Sequence, residues 1–198
     1  MVAIFDGKDM TDKQLLQAVA LDRSVYPESY WIDKQTALGY LHVCPEVYIY
    51  AADGDKLVAY LNMSCIDADS YYTLISGAVN DLCIAPYNLC RPIQGRNNYL
   101  YFSSIVVDSE YRGRGIAARL FARFGEKLDI LRNRGIYFTN IIADAVSPHG
   151  ERICIRLGMK LEKLTQCGTK LFCCSLEAGE PNVALDCFIE NLRGGNDE

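Results

Sequence analysis

Ile105-Val106-Val107-Asp108-Ser109-Glu110-Tyr111-Arg112-Gly113-Arg114-Gly115-Ile116-Ala117 is the stretch that decides the fold. It sets two glycines between the end of a β-branched run and the first turn of a helix, predicted over 115–132 on Ala117, Leu120, Phe121, Phe124 and Leu128. Phosphates favour such a junction. The first N–H groups of a helix lack intrahelical partners and sit at the positive end of its dipole, and glycine lets the main chain approach an anion closely. Arg112 and Arg114 add charge-assisted donors. A Walker loop would need Gly-Lys followed by Ser or Thr, and a dinucleotide turn a third glycine where Ala118 stands, so both are set aside.

Outward from this turn the hydrophobic period changes several times. Leu15, Leu16, Val19 and Ala20 recur at helical spacing behind a Thr/Asp cap, and a second helix starts at Asp33 and ends before Cys44-Pro45. Residues 47–52 and 57–63 are β-rich runs joined by Asp53-Gly54-Asp55, a hairpin signal. Residues 66–98 are irregular and aromatic and read as an elaborated connection with one short helix, the candidate substrate wall. Strands are expected over 99–107 and 136–143. A helix capped by Ser147 should stop at Gly158, followed by strands near 160–164 and 170–176 and a last helix over 182–192. The interleaving predicts a mixed α/β fold, one domain over 1–198 with a short C-terminal extension over 178–198.

Composition narrows the function classes. Half of the 198 residues are apolar, enough for a substantial core, and 20 Lys+Arg against 25 Asp+Glu leave a net charge of -5 with no basic stretch to track a phosphate backbone. Nucleic acid is therefore excluded as a partner. The first ten residues carry charge and no long apolar run, so neither membrane association nor secretion is expected, and the location is read as cytoplasmic. Nine cysteines form no Cys-x-x-Cys pair, and only His42 and His149 are available beside them, so no metal site is expected and the thiols read as reduced small hydrophobes.

Written as Arg112-x-x-Gly115-x-Ala117 behind an Ile-x-Val strand, the glycine turn resembles the pyrophosphate signature of the Gcn5-related N-acetyltransferase (GNAT) superfamily. Ile153-Cys154-Ile155-Arg156-Leu157-Gly158-Met159 is similar to that superfamily's second signature, a helix ending in Leu-Gly-Met, and the resemblance extends over about residues 11–177. It implies a central, mostly antiparallel twisted sheet flanked by helices, with a splayed strand leading into the glycine turn. It also implies acetyl-CoA or another acyl-CoA as donor, and as acceptor a small-molecule amine or a protein amine, handled by a monomer or homodimer. Main-chain groups of Ile105, Val106 and Val107 would pair with the pantetheine arm. The amides of Arg112, Gly113, Arg114, Gly115, Ile116 and Ala117 would hold the pyrophosphate, and Ser147 would either contact the arm or simply cap its helix.

The implied chemistry is direct transfer in a ternary complex, which needs an unprotonated amine, a polarised thioester carbonyl and a proton for the departing thiolate. Where many relatives place a tyrosine acid, this chain has Cys154, read either as that donor or as a small packing residue. The strand 99–104 has no carboxylate to act as base, which leaves a water relay or the connection's acids Asp67, Asp69 and Asp81. Tyr26, Tyr30, Trp31, Tyr71 and Tyr72 are candidate pocket aromatics, and Glu28 and Trp31, between the opening helices, are the candidate acceptor-side residues. The rival is a noncatalytic acyl-CoA-binding module or an interaction protein on the same fold.

Overall fold

The computed structural model describes residues 1–45, 48–176 and 183–193. Among the described residues one seven-stranded sheet collects the strands, in the order β1-β2-β3-β4-β5-β7-β6. The strands are β1 (Val2–Asp6), β2 (Tyr48–Asp53), β3 (Lys56–Ile66), β4 (Asn98–Val107), β5 (Phe138–Ala145), β6 (Lys160–Leu164) and β7 (Lys170–Ser175). All neighbours are antiparallel except β4 and β5. The helices are α1 (Asp12–Arg23), α2 (Lys34–Val43), α3 (Ala68–Ile75), α4 (Ile116–Arg132), α5 (Pro148–Arg156) and α6 (Val183–Arg193). The expected order is found with one addition, the edge strand β1, which the sequence reading did not predict. The predicted strand residue Val47 lies outside the described residues, as do 178–182 and 194–198 of the C-terminal extension.

Four of the helices, α1, α2, α3 and α5, start at a side-chain cap. Thr11 forms a reciprocal capping box with Gln14, and Asp33, Asp67 and Ser147 accept the N–H of the residue three positions on. Alternation along the strands then divides two cores. On one face Ile49, Leu61, Met63, Leu100 and Phe102 pack beneath Leu120, Phe121, Phe124 and Leu128 of α4, joined by Cys154 of α5, its C-cap Leu157 and Phe188 of α6. On the other, Leu15 and Ala18 of α1 and Ala37 and Leu41 of α2 cover Tyr48, Tyr50, Tyr60 and Val106. Tyr71 and Leu74 of α3 lie over Tyr99, Tyr101 and Ile142 farther along.

The position of the site follows from a break in β4. Its pairing with β3 steps from Ser104↔Asn62 to Phe102↔Met63, leaving Ser103 as an extra residue. Bulges bend the strand that carries them. Pairing with β5 ends at Phe102↔Ala143, while β4 runs on to Val107, so residues 103–107 diverge from β5 and open the sheet. Because the bulge absorbs one residue, Tyr101 and Ser104 face the same side, the side of α1 and α2.

Candidate active site

β4 delivers the chain into a turn pinned at both ends. Asp108 accepts the N–H of Glu110 at 3.0 Å and pairs with Lys56 at 2.9 Å, and Tyr111 donates to Asp53 at 3.3 Å. Gly113 and Gly115 then adopt φ of 72° and 68°, left-handed values that disfavour a side chain. A Cβ built at either would meet nothing within 4 Å, so the space over the loop is open. Gly115 is the N-cap of α4 and offers no side-chain cap, which leaves the amides of the first turn exposed to whatever fills that space. An anionic diphosphate fits this geometry.

Beside the loop lies a cleft of about 1350 Å³, lined by Ile105, Val106, Val107, Arg112, Gly113, Gly115, Ile116, Ala117, Ser147 and Cys154. Single small-ligand sites span roughly 300–1,000 Å³, so the cleft has room for two reactants end to end. Arg112 donates to the Val107 carbonyl at 3.3 Å. Arg114, by contrast, turns back to the Glu110 carbonyl at 2.8 Å and over the Tyr111 ring, and is not among the lining residues. Ser147 accepts the Gly150 N–H at 3.1 Å as a helix cap, which leaves its own proton available. Cys154 is 2% exposed, and burial pushes its thiol up to about 12.

The far half of the cleft is acidic and aromatic. Tyr101 donates to Asp81 at 2.7 Å, and the Asp81 N–H reaches Asp144 at 3.4 Å. Asp81 is pushed up to about 6, chiefly by burial and further by the Asp144 charge, against the Tyr101 hydrogen bond. Burial raises Asp144 as well. Each keeps one carboxylate oxygen, Oδ1, inaccessible and without a hydrogen-bond partner. A third acid, Asp22 on α1, accepts a hydrogen bond from Tyr60. The Tyr60 hydroxyl lies 3.0 Å from Ser104 Oγ, which in turn is 3.2 Å from the Tyr26 hydroxyl. Burial pushes Asp22 up to about 6.

The residues expected on the acceptor side sort unevenly. Of the connection's acids, Asp81 reaches the cleft, while Asp67 caps α3 and Asp69 is exposed. Tyr26 and Tyr30 line the cleft. Tyr71 and Tyr72 instead pack on Tyr99, with ring centroids 4.4 and 6.0 Å away. Glu28 lies in the turn Glu28–Tyr30 and is not among the lining residues, nor is Trp31, which is 41% exposed, hydrogen-bonds the Tyr26 carbonyl and stacks under Arg23. Asp22 and Asp144 were not anticipated. A signal existed for both: Asp22 falls seven residues after Leu15, on the buried stripe of α1, and Asp144 interrupts the apolar run Ile141-Ile142-Ala143.

Residues 15–144 match the acetyltransferase (GNAT) family. Solved structures of similar shape include Naa50 of Arabidopsis thaliana in complex with a bisubstrate analogue (TM-score 0.56, 13% identity, 87% of this chain and 97% of that one). A PaiA N-acetyltransferase of Thermoplasma acidophilum in complex with coenzyme A gives a TM-score of 0.55 at 13% identity, covering 87% and 98%. A polyamine N-acetyltransferase of Drosophila melanogaster gives 0.55 at 15% identity, covering 89% and 100%. No curated protein matches the chain in sequence. At these identities the likeness is one of fold.

Proposed function

The chain belongs to the acetyltransferase (GNAT) family, and from that membership we propose that it is an acyl-CoA-dependent N-acyltransferase moving acetyl from acetyl-CoA to an amine by direct attack. One observation carries the reading: an uncapped helix start and a cluster of buried carboxylates occupy opposite halves of one cleft, at the point where β4 leaves β5. Neighbours solved with coenzyme A or a bisubstrate analogue of it support the donor.

Bound, acetyl-CoA would supply the acyl group and a thiol leaving group. The remaining work falls to the chain. The amides from Arg112 to Ala117 would hold the pyrophosphate, with Arg112 at its side, and the β4 edge at Ile105, Val106 and Val107, unpaired with β5, would accept the pantetheine arm as an added strand. Asp81 and Asp144 lie close enough that both resist ionising together, so as a pair they accept a proton near neutral pH, as a general base for an ammonium must. The nitrogen then bonds the acyl carbon, the C–S bond breaks and the thiolate takes a proton. With its own thiol at about 12, Cys154 would donate uphill against an alkyl thiol whose ordinary value is about 8.5, so water filling the cleft is the better donor. Cys154→Ala is accordingly expected to keep kcat within about twofold and to lose only packing stability. A loss beyond tenfold, measured with saturating substrates, returns the donor role to the thiol.

Release of free CoA from acetyl-CoA in the presence of an amine panel tests the proposal. Saturable, amine-dependent release is expected. Binding of acetyl-CoA without turnover on any amine would convert the chain into an acyl-CoA-binding module. A single domain over the chain is supported by the described strands sharing one sheet, and the family reading has it act as a monomer or homodimer.

A further inference from the structure

Three acids line the α1/α2 side of the cleft: Asp22 from α1, Asp81 from the connection and Asp144 from β5. Among the described residues none of them has an ion-pair partner. Among the described residues the Arg side chains lining the cleft are Arg112 and Arg156, from the glycine turn and from α5 on the α4 side, and no Lys lines it. The acids are built in rather than left in solvent. Asp144 is 8% exposed, and its Oδ1 lacks any partner although its side chain lines an open cleft. Holding a carboxylate this deeply costs free energy, and a cation in the cleft, reaching the carboxyl on the side that lines it, would lower that cost. Tyr26, Tyr30, Tyr40, Tyr48, Tyr60 and Tyr101 complete the walls, with Tyr48 stacked on Tyr60. Aromatic faces and carboxylates together suit an ammonium.

The acids also fall into two places. Asp81 and Asp144 meet β4 through Tyr101, and Asp22 meets it through Tyr60 and Ser104. Tyr101 and Ser104 share one face, and with the bulge absorbing a residue their β3 partners Ser64 and Asn62 are two positions apart, roughly 7 Å along the strand. A substrate with one positive charge answers one of these places and leaves the other carboxyl facing the cleft without a counter-charge.

Building on the acyl-transfer reading, we infer that the acceptor is an amine bearing a second cationic group, a diamine or polyamine, with one nitrogen at the Asp81–Asp144 pair and the other at Asp22. The nitrogen at Asp81–Asp144 gives up its proton and is acylated. The nitrogen at Asp22 stays charged and sets the distance. Asp22 is thus a specificity-determining residue.

Putrescine and spermidine against butylamine, all with acetyl-CoA, test this directly. Putrescine and spermidine are expected to exceed butylamine in kcat/KM by roughly tenfold or more, the scale of one charged hydrogen bond. Asp22→Asn should collapse that ratio toward unity, chiefly through KM. Calorimetry of putrescine with the wild-type protein loaded with CoA needs neither a variant nor turnover, and saturable binding that weakens with salt is expected. Butylamine turned over as well as putrescine would overturn the dication reading and leave acyl transfer standing. Absence of all turnover would sink acyl transfer, and whether putrescine then binds still decides the pocket, since no measurable binding would overturn it too.

Discussion

Gly115→Asp should raise the Kd for acetyl-CoA by at least about a hundredfold while leaving the protein folded. Gly115 sits at φ 68°, where most side chains are strained, but Asp is among the few L-residues that visit this region, and a Cβ here meets nothing within 4 Å. An acid at the N-cap of α4 would even favour the helix, because it answers the positive end of the dipole and can bond the free amides. Both gains come from occupying the donors proposed for the pyrophosphate. The substitution therefore sets fold and cofactor in opposition, with an unchanged or raised melting temperature and a lost ligand. Gly115→Asn separates charge from bulk, since it fills the same space without repelling phosphate and should cost distinctly less affinity. Equal Kd values for wild type and Gly115→Asp by calorimetry would remove the glycine turn from the cofactor site.

The ease with which different parts of this protein can be read in its sequence follows the range over which their causes act. The helix starts are local: Thr11 and Gln14 cap each other, and Asp33 and Ser147 bond amides three residues ahead. The glycine turn is local too, because its two positive-φ positions favour glycine whatever surrounds them. β1 escaped notice since it is five residues long, and only its neighbour makes it a strand. It is held by pairing to β2 and by Asp6, which binds Arg123 and Lys127 of α4 and is held below its usual range by them. The acceptor half is the least legible. Asp22, Asp81 and Asp144 come from three separate elements, and the connection residue Asp81 resembles the solvated Asp69 until the fold places it over Tyr101. Glu28 and Trp31 illustrate the converse. They lie in the right loop, yet Tyr26 and Tyr30 are the residues that line the cleft.

Asp81→Asn should abolish most turnover and at the same time stabilise the protein at neutral pH. Acting as the proposed base, the Asp81–Asp144 pair would contribute on the order of 10²–10⁴ in rate, and its removal should appear in kcat, with acetyl-CoA affinity unchanged. In the wild type, activity should rise with pH through about 6 as the carboxyl ionises, and the variant should lose that limb. The stability effect has the opposite sign. The folded value of about 6 lies above the ordinary 3.8, so the folded state binds this proton more tightly than the unfolded chain does. The stabilisation it provides is complete below about pH 4 and is lost as the pH rises through 6. Asparagine is neutral throughout, keeps an acceptor for Tyr101, and should be more stable than wild type by on the order of 1–3 kcal/mol at pH 7, with the difference vanishing near pH 4. Thermal melts at the two pH values and a pH–rate profile read both halves. A carboxyl kept only for structure would give the reverse, a less stable variant with its turnover intact. A pair that is costly to hold ionised yet needed for turnover behaves as a working base must, since the strain of burying its charge is relieved when an ammonium arrives beside it.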